Sequence, residues 1–192
     1  MQFNILTRSD FKITKWSGGT TTQLYIHPPQ ADFASHDFDF RISTATVEQP
    51  ESDFTPLPGF KRILLVLDGE IKIHHQNHGS AHLFPFLPHH FDGSWQTRSE
   101  GTCTDFNIIY KPHYKADFKL LSSADHAIDT HKSEFLFVFC VKGGATISYC
   151  ENEFRIIPNQ LLCFTDIADN LIKIKQEIHT QILEIRLSPI FT

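Results

Sequence analysis

The feature that most constrains the fold is a β-unit that occurs twice, at residues 60–91 and 133–165. Each copy has an apolar run, a glycine turn, an alternating strand, a polar tip and an apolar return strand that ends at proline. The apolar run and the alternating strand predict a β-hairpin around Gly69, and around Gly143 in the second copy. A solenoid needs shorter and more numerous units, so two copies predict two jelly-roll halves.

The remaining segments predict further strands. Alternating or β-branched stretches occupy residues 2–16, 20–26, 38–47, 103–110, 118–121, 171–175 and 180–187. No stretch has the apolar period of an amphipathic helix. We therefore predict an all-β protein made of two jelly-roll β-barrel halves packed together, residues 1–112 and 113–192, with strands exchanged between the halves.

The charge balance argues against two classes of partner. The net charge is −5 and the pI is near 6.1, without a basic block, so neither nucleic acid nor an anionic membrane is expected to bind. The N-terminus lacks the apolar region of a secretory signal and no run is long enough for a membrane span, which favours a cytoplasmic location. Edge strands of jelly rolls often pair, so a homodimer is an expected assembly.

The four cysteines allow two interpretations. They are scattered without a CxxC pair, at Cys103, Cys140, Cys150 and Cys163. Buried thiols in a reducing compartment are the simpler interpretation, and a disulfide between Cys140 and Cys150 is the alternative.

Two strands carry polar residues at alternate positions. In residues 38–47, Arg41 and Ser43 share the face opposite the aromatic residues. Spacing alone favours a solvent-facing Arg41. The alternative is a cavity, where the guanidinium could hold a carboxylate in a two-pronged hydrogen bond. Asp105 and Asn107 pose the same choice, between a wet surface and a polar patch inside a pocket.

Twelve histidines raise the question of a metal. No carboxylate follows the first cluster at a usable interval, and we expect its members to be surface residues. The cluster comprises His74, His75, His78, His82, His89 and His90.

Catalytic motifs are also missing from the sequence. The glycines at 18 and 19 precede a strand rather than a helix, so they predict a turn and not a phosphate loop. There is no Gly-x-Ser-x-Gly elbow, and no catalytic residue is assigned. A metal-free isomerase with a His base and a Tyr or Asp acid stays open, because such residues converge only in three dimensions.

The repeated unit resembles the cupin barrel. In cupins the first metal motif ends in a glycine like Gly69 and carries His-x-His and then Glu upstream. Here residues 54–62 contain no histidine, and Arg62 stands near the place of the glutamate. The equivalent stretch of the second copy offers only His131 and Glu134. The resemblance therefore implies cupin-like halves that lack the usual metal site, and no cofactor is expected.

Five short motifs in order resemble the HutD/Ves group of two-barrel cupin proteins. This resemblance implies a cytoplasmic protein, linked in part of the family to histidine utilisation and in part to stress response. The family usually has Asn after the motif's Trp and an acidic residue at its end, where this chain has Ser17 or Gly18 and Gln23. The motifs are Trp-Ser-Gly-Gly-x-Thr-x-Gln at 16–23, Phe-Arg-Ile-Ser at 40–43 with Ala45 and Val47, Phe-x-x-Leu-Pro-Gly at 54–59 with Arg62, Leu-Asp-Gly-Glu at 67–70, and Asp-Phe-Asn at 105–107.

These residues favour metal-independent binding of a small anionic metabolite, with a regulatory or sensing role. The arginines would clamp the anion, polar side chains would orient it and two aromatic rings would cover it. One alternative is a metal-free cupin enzyme, an isomerase or epimerase acting on a sugar or carboxylic acid. Another is a structural or interaction protein with a buried Arg–Asp pair. The ligand-binding candidates are Trp16, Gln23, Arg41, Ser43, Phe54, Arg62, Asp105 and Asn107.

Overall fold

A computed structural model of the chain describes residues 2–122, 125–130, 134–165 and 171–190. The described residues form nineteen strands and one short 3-10 helix, Phe33–Ser35, so the all-β prediction is confirmed. None of the described helices is long and apolar enough to cross a membrane. His131 lies outside the described residues. In chain order the strands are β1 (Gln2–Leu6), β2 (Lys12–Trp16), β3 (Gly19–His27), β4 (Phe40–Val47), β5 (Glu51–Phe54), β6 (Lys61–Gly69), β7 (Ile71–His75), β8 (Gly79–Leu83), β9 (His89–Asp92), β10 (Thr97–Glu100), β11 (Cys103–Tyr110), β12 (Tyr114–Ser122), β13 (His126–Asp129), β14 (Phe135–Lys142), β15 (Ala145–Tyr149), β16 (Asn152–Ile156), β17 (Leu161–Thr165), β18 (Leu171–Gln176) and β19 (Gln181–Pro189).

The chain divides into two compact units. Phe11–Pro112 form one, here called the N-terminal unit. His113–Thr192 form the other, the C-terminal unit, together with Met1–Asp10. The first strand belongs to the C-terminal unit because β1 pairs with β17 along its whole length.

The N-terminal unit contains two antiparallel sheets. One has six strands in the order β2-β3-β4-β11-β6-β9, and the other has four in the order β5-β10-β7-β8. Both sheets contribute to one core, in which Leu64 and Val66 of β6 pack with Ile71 and Ile73 of β7. These residues alternate along their strands, as a half-buried sheet requires.

The C-terminal unit has the same construction. Its sheets run β1-β17-β14-β19-β12 and β13-β18-β15-β16. Leu136 and Val138 from the first sheet share a core with Ile147 and Ile172 from the second. Burial of such side chains is worth about 25 cal/mol per Å² of apolar surface, which is the main stabilising term in each unit.

Strand pairing confirms that the β-unit occurs twice. The order β9-β6-β11-β4 of the N-terminal unit recurs as β17-β14-β19-β12, and β5-β10-β7-β8 recurs as β13-β18-β15-β16. Each strand thus corresponds to the strand eight places later. The additions differ, because β3 and β2 extend the sheet beyond β4, whereas β1 is added beside β17.

The predicted hairpins around Gly69 and Gly143 are both wrong, since β14 pairs with β17 and β19 whereas β15 pairs with β16 and β18. β6 pairs with β11 and β9, whereas β7 pairs with β10 and β8, so the chain turns a corner from one sheet to the other. Gly69 has φ of +81°, and an added Cβ would lie 2.6 Å from the Thr102 carbonyl oxygen. A glycine is needed here because the two backbones approach so closely. In a sandwich, a glycine between an apolar run and an alternating strand can mark either a hairpin or a corner.

The cysteines are all free, and the disulfide between Cys140 and Cys150 is not formed. Cys103, Cys140 and Cys163 are buried, as the simpler interpretation expected, whereas Cys150 is exposed. Burial raises the pKa of the Cys103 thiol to about 12 and that of Cys140 to about 11. Both thiols are therefore unreactive core residues at neutral pH.

Comparison of two glycine variants tests the corner. Gly79 also has a positive φ, +92°, but nothing lies within 4 Å of its added Cβ. Gly79→Ala should cost about 1–2 kcal/mol through backbone strain alone. Gly69→Ala should cost about 1–3 kcal/mol more because the neighbouring backbone must move. Urea unfolding of both variants measures the difference, and equal losses would contradict the corner geometry.

Candidate binding site in the N-terminal unit

Strand register brings the polar candidates to one face of the six-stranded sheet. Directly paired residues of an antiparallel sheet point to the same side, and so do residues two apart on one strand. Three successive rows across β3, β4, β11 and β6 therefore share a face. The rows are Gln23, Ser43 and Asn107; Arg41, Ile109 and Arg62; and Thr21, Ala45 and Asp105.

A cavity of about 510 Å³ opens on this face. Its walls also include residues of β2, the 3-10 helix, and β5 with the loop that follows it. The structure brings all eight candidates together around this one space, and their binding role stays a prediction. They are Trp16, Gln23, Arg41, Ser43, Phe54, Arg62, Asp105 and Asn107.

Arg41 is buried, with 8% of its surface exposed, so the solvent-facing position that spacing favoured is wrong. Its Nε donates to Gln23 Oε1 at 2.8 Å and its Nη1 to Ser43 Oγ at 3.3 Å. The guanidinium carbon lies 4.3 Å from the centre of the Phe33 ring. Burial lowers the pKa of Arg41 to about 10, which leaves the side chain charged at neutral pH.

Arg62 lies deeper, with 6% exposure. Its guanidinium carbon is 4.9 Å from the Phe54 ring centre and 5.1 Å from that of Phe91. Nη1 donates to the Thr55 carbonyl at 3.5 Å, whereas Nε has no hydrogen-bond partner in the described part of the chain. Burial lowers the pKa of Arg62 to about 10, although the Asp105 charge opposes this shift.

Asp105 is the buried acid of the site, with 3% exposure. Burial raises the pKa of its carboxyl group to about 7, and the positive charge of Arg62 opposes this rise. Near neutral pH the group is therefore present in both protonation states. It therefore neutralises the charge of Arg62 only in part.

The mouth of the cavity is formed by β2, which the sequence predicted as a strand, and by the 3-10 helix, which it did not predict. Lys12 Nζ pairs with Asp32 Oδ1 at 3.0 Å, which joins β2 to the 3-10 helix. Trp16 stands half-exposed at the mouth, and its Nε1 donates to Thr21 Oγ1 at 3.2 Å. Phe33, which also lines the cavity, is not among the residues that the sequence singled out. A lone aromatic residue after a helix-capping aspartate was the available signal.

The histidine cluster is not wholly on the surface. His75 is buried at 2% exposure, because it follows Ile71 and Ile73 on the inward face of β7. Its Nε2 lies 2.8 Å from His89 Nε2, and its Nδ1 lies 2.8 Å from Thr97 Oγ1. Burial lowers the pKa of both histidines, that of His75 to about 4. Within the described ranges, no three His, Cys, Asp or Glu side chains group as metal ligands.

Comparison with solved structures supports the fold assignment. PA5104, a conserved protein of unknown function from Pseudomonas aeruginosa PAO1, has a TM-score of 0.86 and 21% identity over 98% of this chain and 100% of that chain. HutD from Pseudomonas fluorescens SBW25, in a formate condition, gives 0.79 and 19% over 98% and 99%. A cupin 2 conserved barrel domain protein from Leptotrichia buccalis gives 0.62 and 11% over 96% of both chains. No curated protein matches the sequence.

These likenesses and the repeated sheets define an all-β protein of the cupin class with two barrel-like units. The HutD family model matches residues 8–182. The chain therefore belongs to the HutD family, as the five motifs indicated. At such low identities the solved structures establish the fold only, so the function must be argued from the site itself.

Substitution of Asp105 tests its burial. A carboxyl group whose pKa is raised on folding stabilises the protein below the pKa of about 4 that it has when unfolded, and this contribution is lost as pH rises through about 7. The pKa rise of about three units corresponds to about 4 kcal/mol. Asp105→Asn should therefore gain stability relative to wild type between pH 4 and pH 7, by up to roughly that amount. Urea unfolding across this range measures the change, and a pH-independent difference would contradict it.

Proposed function

We propose that the N-terminal unit binds a small organic anion, whose carboxylate is held by Arg41 and Arg62. The observation that carries this proposal is the presence of two buried guanidinium groups that face one cavity. In this proposal the protein senses or sequesters a metabolite and has a regulatory role. Binding is metal-independent, and a cytoplasmic site of action is part of the proposal.

The electrostatics of the cavity favour an anion. Burial of a charged group without a partner charge is costly, and such groups in proteins are usually paired. Two buried arginines and one buried carboxyl group, Asp105 with its raised pKa, line the base of the cavity. At the rim the positive Lys12 is matched by Asp32, and Asp53 adds a negative charge. The rim therefore has an excess of negative charge and the base an excess of positive charge, so the base is where an anion is favoured.

The arginine geometry suits a carboxylate. Phe33 lies against the face of Arg41, and Phe54 against that of Arg62, so the rings orient both guanidinium groups. A planar guanidinium donates along its edges, where it matches the two oxygens of a carboxylate. The cavity volume of about 510 Å³ lies within the range of small-molecule sites.

The family supplies the first compounds to test. HutD from Pseudomonas fluorescens, whose structure comes from a formate condition, has the same fold. Formate is the smallest carboxylate. We therefore propose formate, acids formed in histidine breakdown and related carboxylic acids as the first probes. A homodimer formed through edge strands stays a separate prediction.

The enzyme alternative depends on Asp105. Among the described residues that line the cavity there is no histidine, tyrosine or glutamate. The carboxyl group of Asp105, with a pKa of about 7, is the one lining group suited to both accept and donate a proton near neutral pH. Incubation with a bound acid, followed by analysis of the acid by NMR, separates the functions. Conversion that is lost in Asp105→Asn would identify an enzyme.

Arginine substitution tests the binding site. A carboxylic acid near 100 times its dissociation constant should stabilise the wild-type protein by about 2.7 kcal/mol in thermal unfolding. Arg41→Met and Arg62→Met should each weaken binding by about tenfold to a hundredfold, because a charge-assisted hydrogen bond is lost. Arg98→Met is the matched control, since Arg98 is exposed and pairs with Glu51 on the four-stranded sheet. Equal binding by all three variants would contradict the proposal.

The affinity should depend on pH through Asp105. An anion beside this group favours its protonated form, so binding takes up a proton. We expect the affinity to fall as pH rises through about 7, by at most about tenfold per pH unit. In Asp105→Asn the affinity should stay level over the same range. Calorimetric titration of the same acid at several pH values measures both proteins. A wild-type affinity that is constant from pH 6 to pH 8 would place the anion away from Asp105.

A further inference from the structure

We infer that the protein forms a homodimer through one edge of the N-terminal unit, where β8 and the apolar turn that follows it meet a second copy of the chain. The apolar turn comprises residues 84–88. None of the residues of β8 or of this turn lines the cavity, so the inference goes beyond the proposed function. It is carried by exposed apolar side chains that the backbone holds in place beside an uncharged edge strand.

The apolar turn lies on the surface. Its sequence is Phe-Pro-Phe-Leu-Pro, and Phe84 and Leu87 are 44% and 58% exposed. The ring of His82, on β8, lies 4.3 Å from that of Phe84, so the two rings form a continuous surface. Single exposed apolar residues are common, but a contiguous group of them marks a contact site.

The backbone fixes the position of the turn. The Leu87 N–H donates to the Phe84 carbonyl at 3.3 Å, and the Phe86 N–H donates to the Val66 carbonyl of β6 at 2.9 Å. Pro85 in the second position and a φ of +63° at Phe86 are typical of a type II turn. The apolar side chains are therefore presented on a turn that is anchored to the sheet.

Phe86 occupies a backbone conformation that suits other residues. The third position of a type II turn favours glycine or asparagine, and a bulky residue there is strained. The C-terminal unit has the same turn at residues 157–160, where the Gln160 N–H donates to the Ile157 carbonyl at 3.2 Å. Its third residue is Asn159, with a φ of +64°. The N-terminal unit thus keeps an aromatic residue where asparagine suits the backbone, which indicates that the ring is used in a contact.

The lack of charge selects the partner. Residues 73–91 contain no Asp, Glu, Lys or Arg, although these types make up 20% of the chain. Glu70, whose Oε2 lies 3.4 Å from His82 Nε2, borders this surface. An anionic membrane or a nucleic acid would be bound by basic residues, whereas the centre of a protein interface is poor in charge and rich in aromatic rings. A second copy of the chain presents such an uncharged surface.

The open edge of β8 favours pairing with its own copy. β8 pairs with β7 in a regular register, and within the described ranges no strand lies on its other side. Antiparallel pairing about a twofold axis satisfies the free N–H and C=O groups of both copies. Charged side chains oppose such pairing. β1 is also uncharged, but its Phe3 and Ile5 pack against the core of the C-terminal unit. The edge strands that carry charged residues are β2, β5, β9, β12, β13 and β16.

Sedimentation velocity of the wild-type protein tests the assembly. Between about 1 µM and about 1 mM we expect a monomer–dimer equilibrium with a dissociation constant in the micromolar range, because one turn and one short strand form a small interface. A protein that is monomeric throughout this range would overturn the inference.

Two lysine variants at equivalent positions locate the interface. Phe84 and Ile157 are the first residues of the two turns, and they are 44% and 42% exposed. Phe84→Lys should raise the dissociation constant of the dimer by about tenfold or more, because a charge is buried and faces its own copy. Ile157→Lys is the matched control and should keep the wild-type value. Circular dichroism checks that both variants fold. Equal dissociation constants for the two variants would overturn the assignment.

A third variant tests the strained residue. Phe86→Asn introduces the residue that the C-terminal unit has at the same point of its turn, so the backbone conformation is kept. The dimer should weaken by about tenfold through loss of the ring. A dimer of unchanged affinity would show that the turn lies outside the interface and would overturn the inference.

Hydrogen–deuterium exchange maps the contact directly. Above the dissociation constant, residues 79–88 should exchange more slowly than below it, whereas residues 157–160 should be unchanged. Protection that is confined to other residues would overturn the inference. Phosphatidylcholine vesicles test the other occupant of an uncharged apolar surface. Vesicle binding that is lost in Phe84→Lys, together with a monomeric wild type, would assign the turn to a lipid surface instead of a second copy.

Discussion

The burial of two guanidinium groups is the constraint on which the site depends. Removal of a cation from water is costly, and the protein offsets this cost for Arg41 and Arg62 with ring faces, neutral hydrogen-bond acceptors and one carboxyl group. None of these contacts neutralises both charges. The raised pKa of Asp105 has the same origin, since the burial that leaves the arginines short of solvent also disfavours a carboxylate. A cavity with this charge pattern is suited to an anion.

The C-terminal unit fills the corresponding positions of the same fold with different side chains. The position that corresponds to Arg62 in the repeat holds Leu136, which is fully buried in an apolar core. Beside it, across the β14–β19 pairing, Arg186 Nε donates to Glu184 Oε1 at 2.6 Å. In the C-terminal unit, Arg186 on the inward face of the sheet is therefore paired with a carboxylate from the same unit. In the N-terminal unit, β3 and β2 instead extend the six-stranded sheet beyond β4. Residues of these two added strands line the cavity, and β2 lies at its mouth.

Much of the architecture follows from local sequence signals, whereas the partners of each strand do not. The alternation of polar and apolar residues predicted the strands and the repeat, because a half-buried sheet imposes that period. It could not say whether Gly69 closes a hairpin or turns a corner, since both need a positive φ after an apolar run. Alternation places His75 with Ile71 and Ile73 on the inward face, whereas the polar segment that follows favours the surface. For Arg41 the strand pattern could not reveal which face would be covered, because Phe33, whose ring lies against its guanidinium group, belongs to a short segment without a strand or helix period.

The family motifs identified the residues of the site more completely than the chemistry of the individual side chains did. Gln23, Arg41, Arg62 and Asp105 come from four different strands, and only the register of the sheet unites them. What the motifs left unspecified is the direction of each hydrogen bond. The Gln23 oxygen accepts from Arg41, so its amide N–H groups face away from that arginine. Asn107 is the opposite case, an acceptor without a donor. These directions depend on side chains that the sheet register brings together from separate strands, so no single motif contains them.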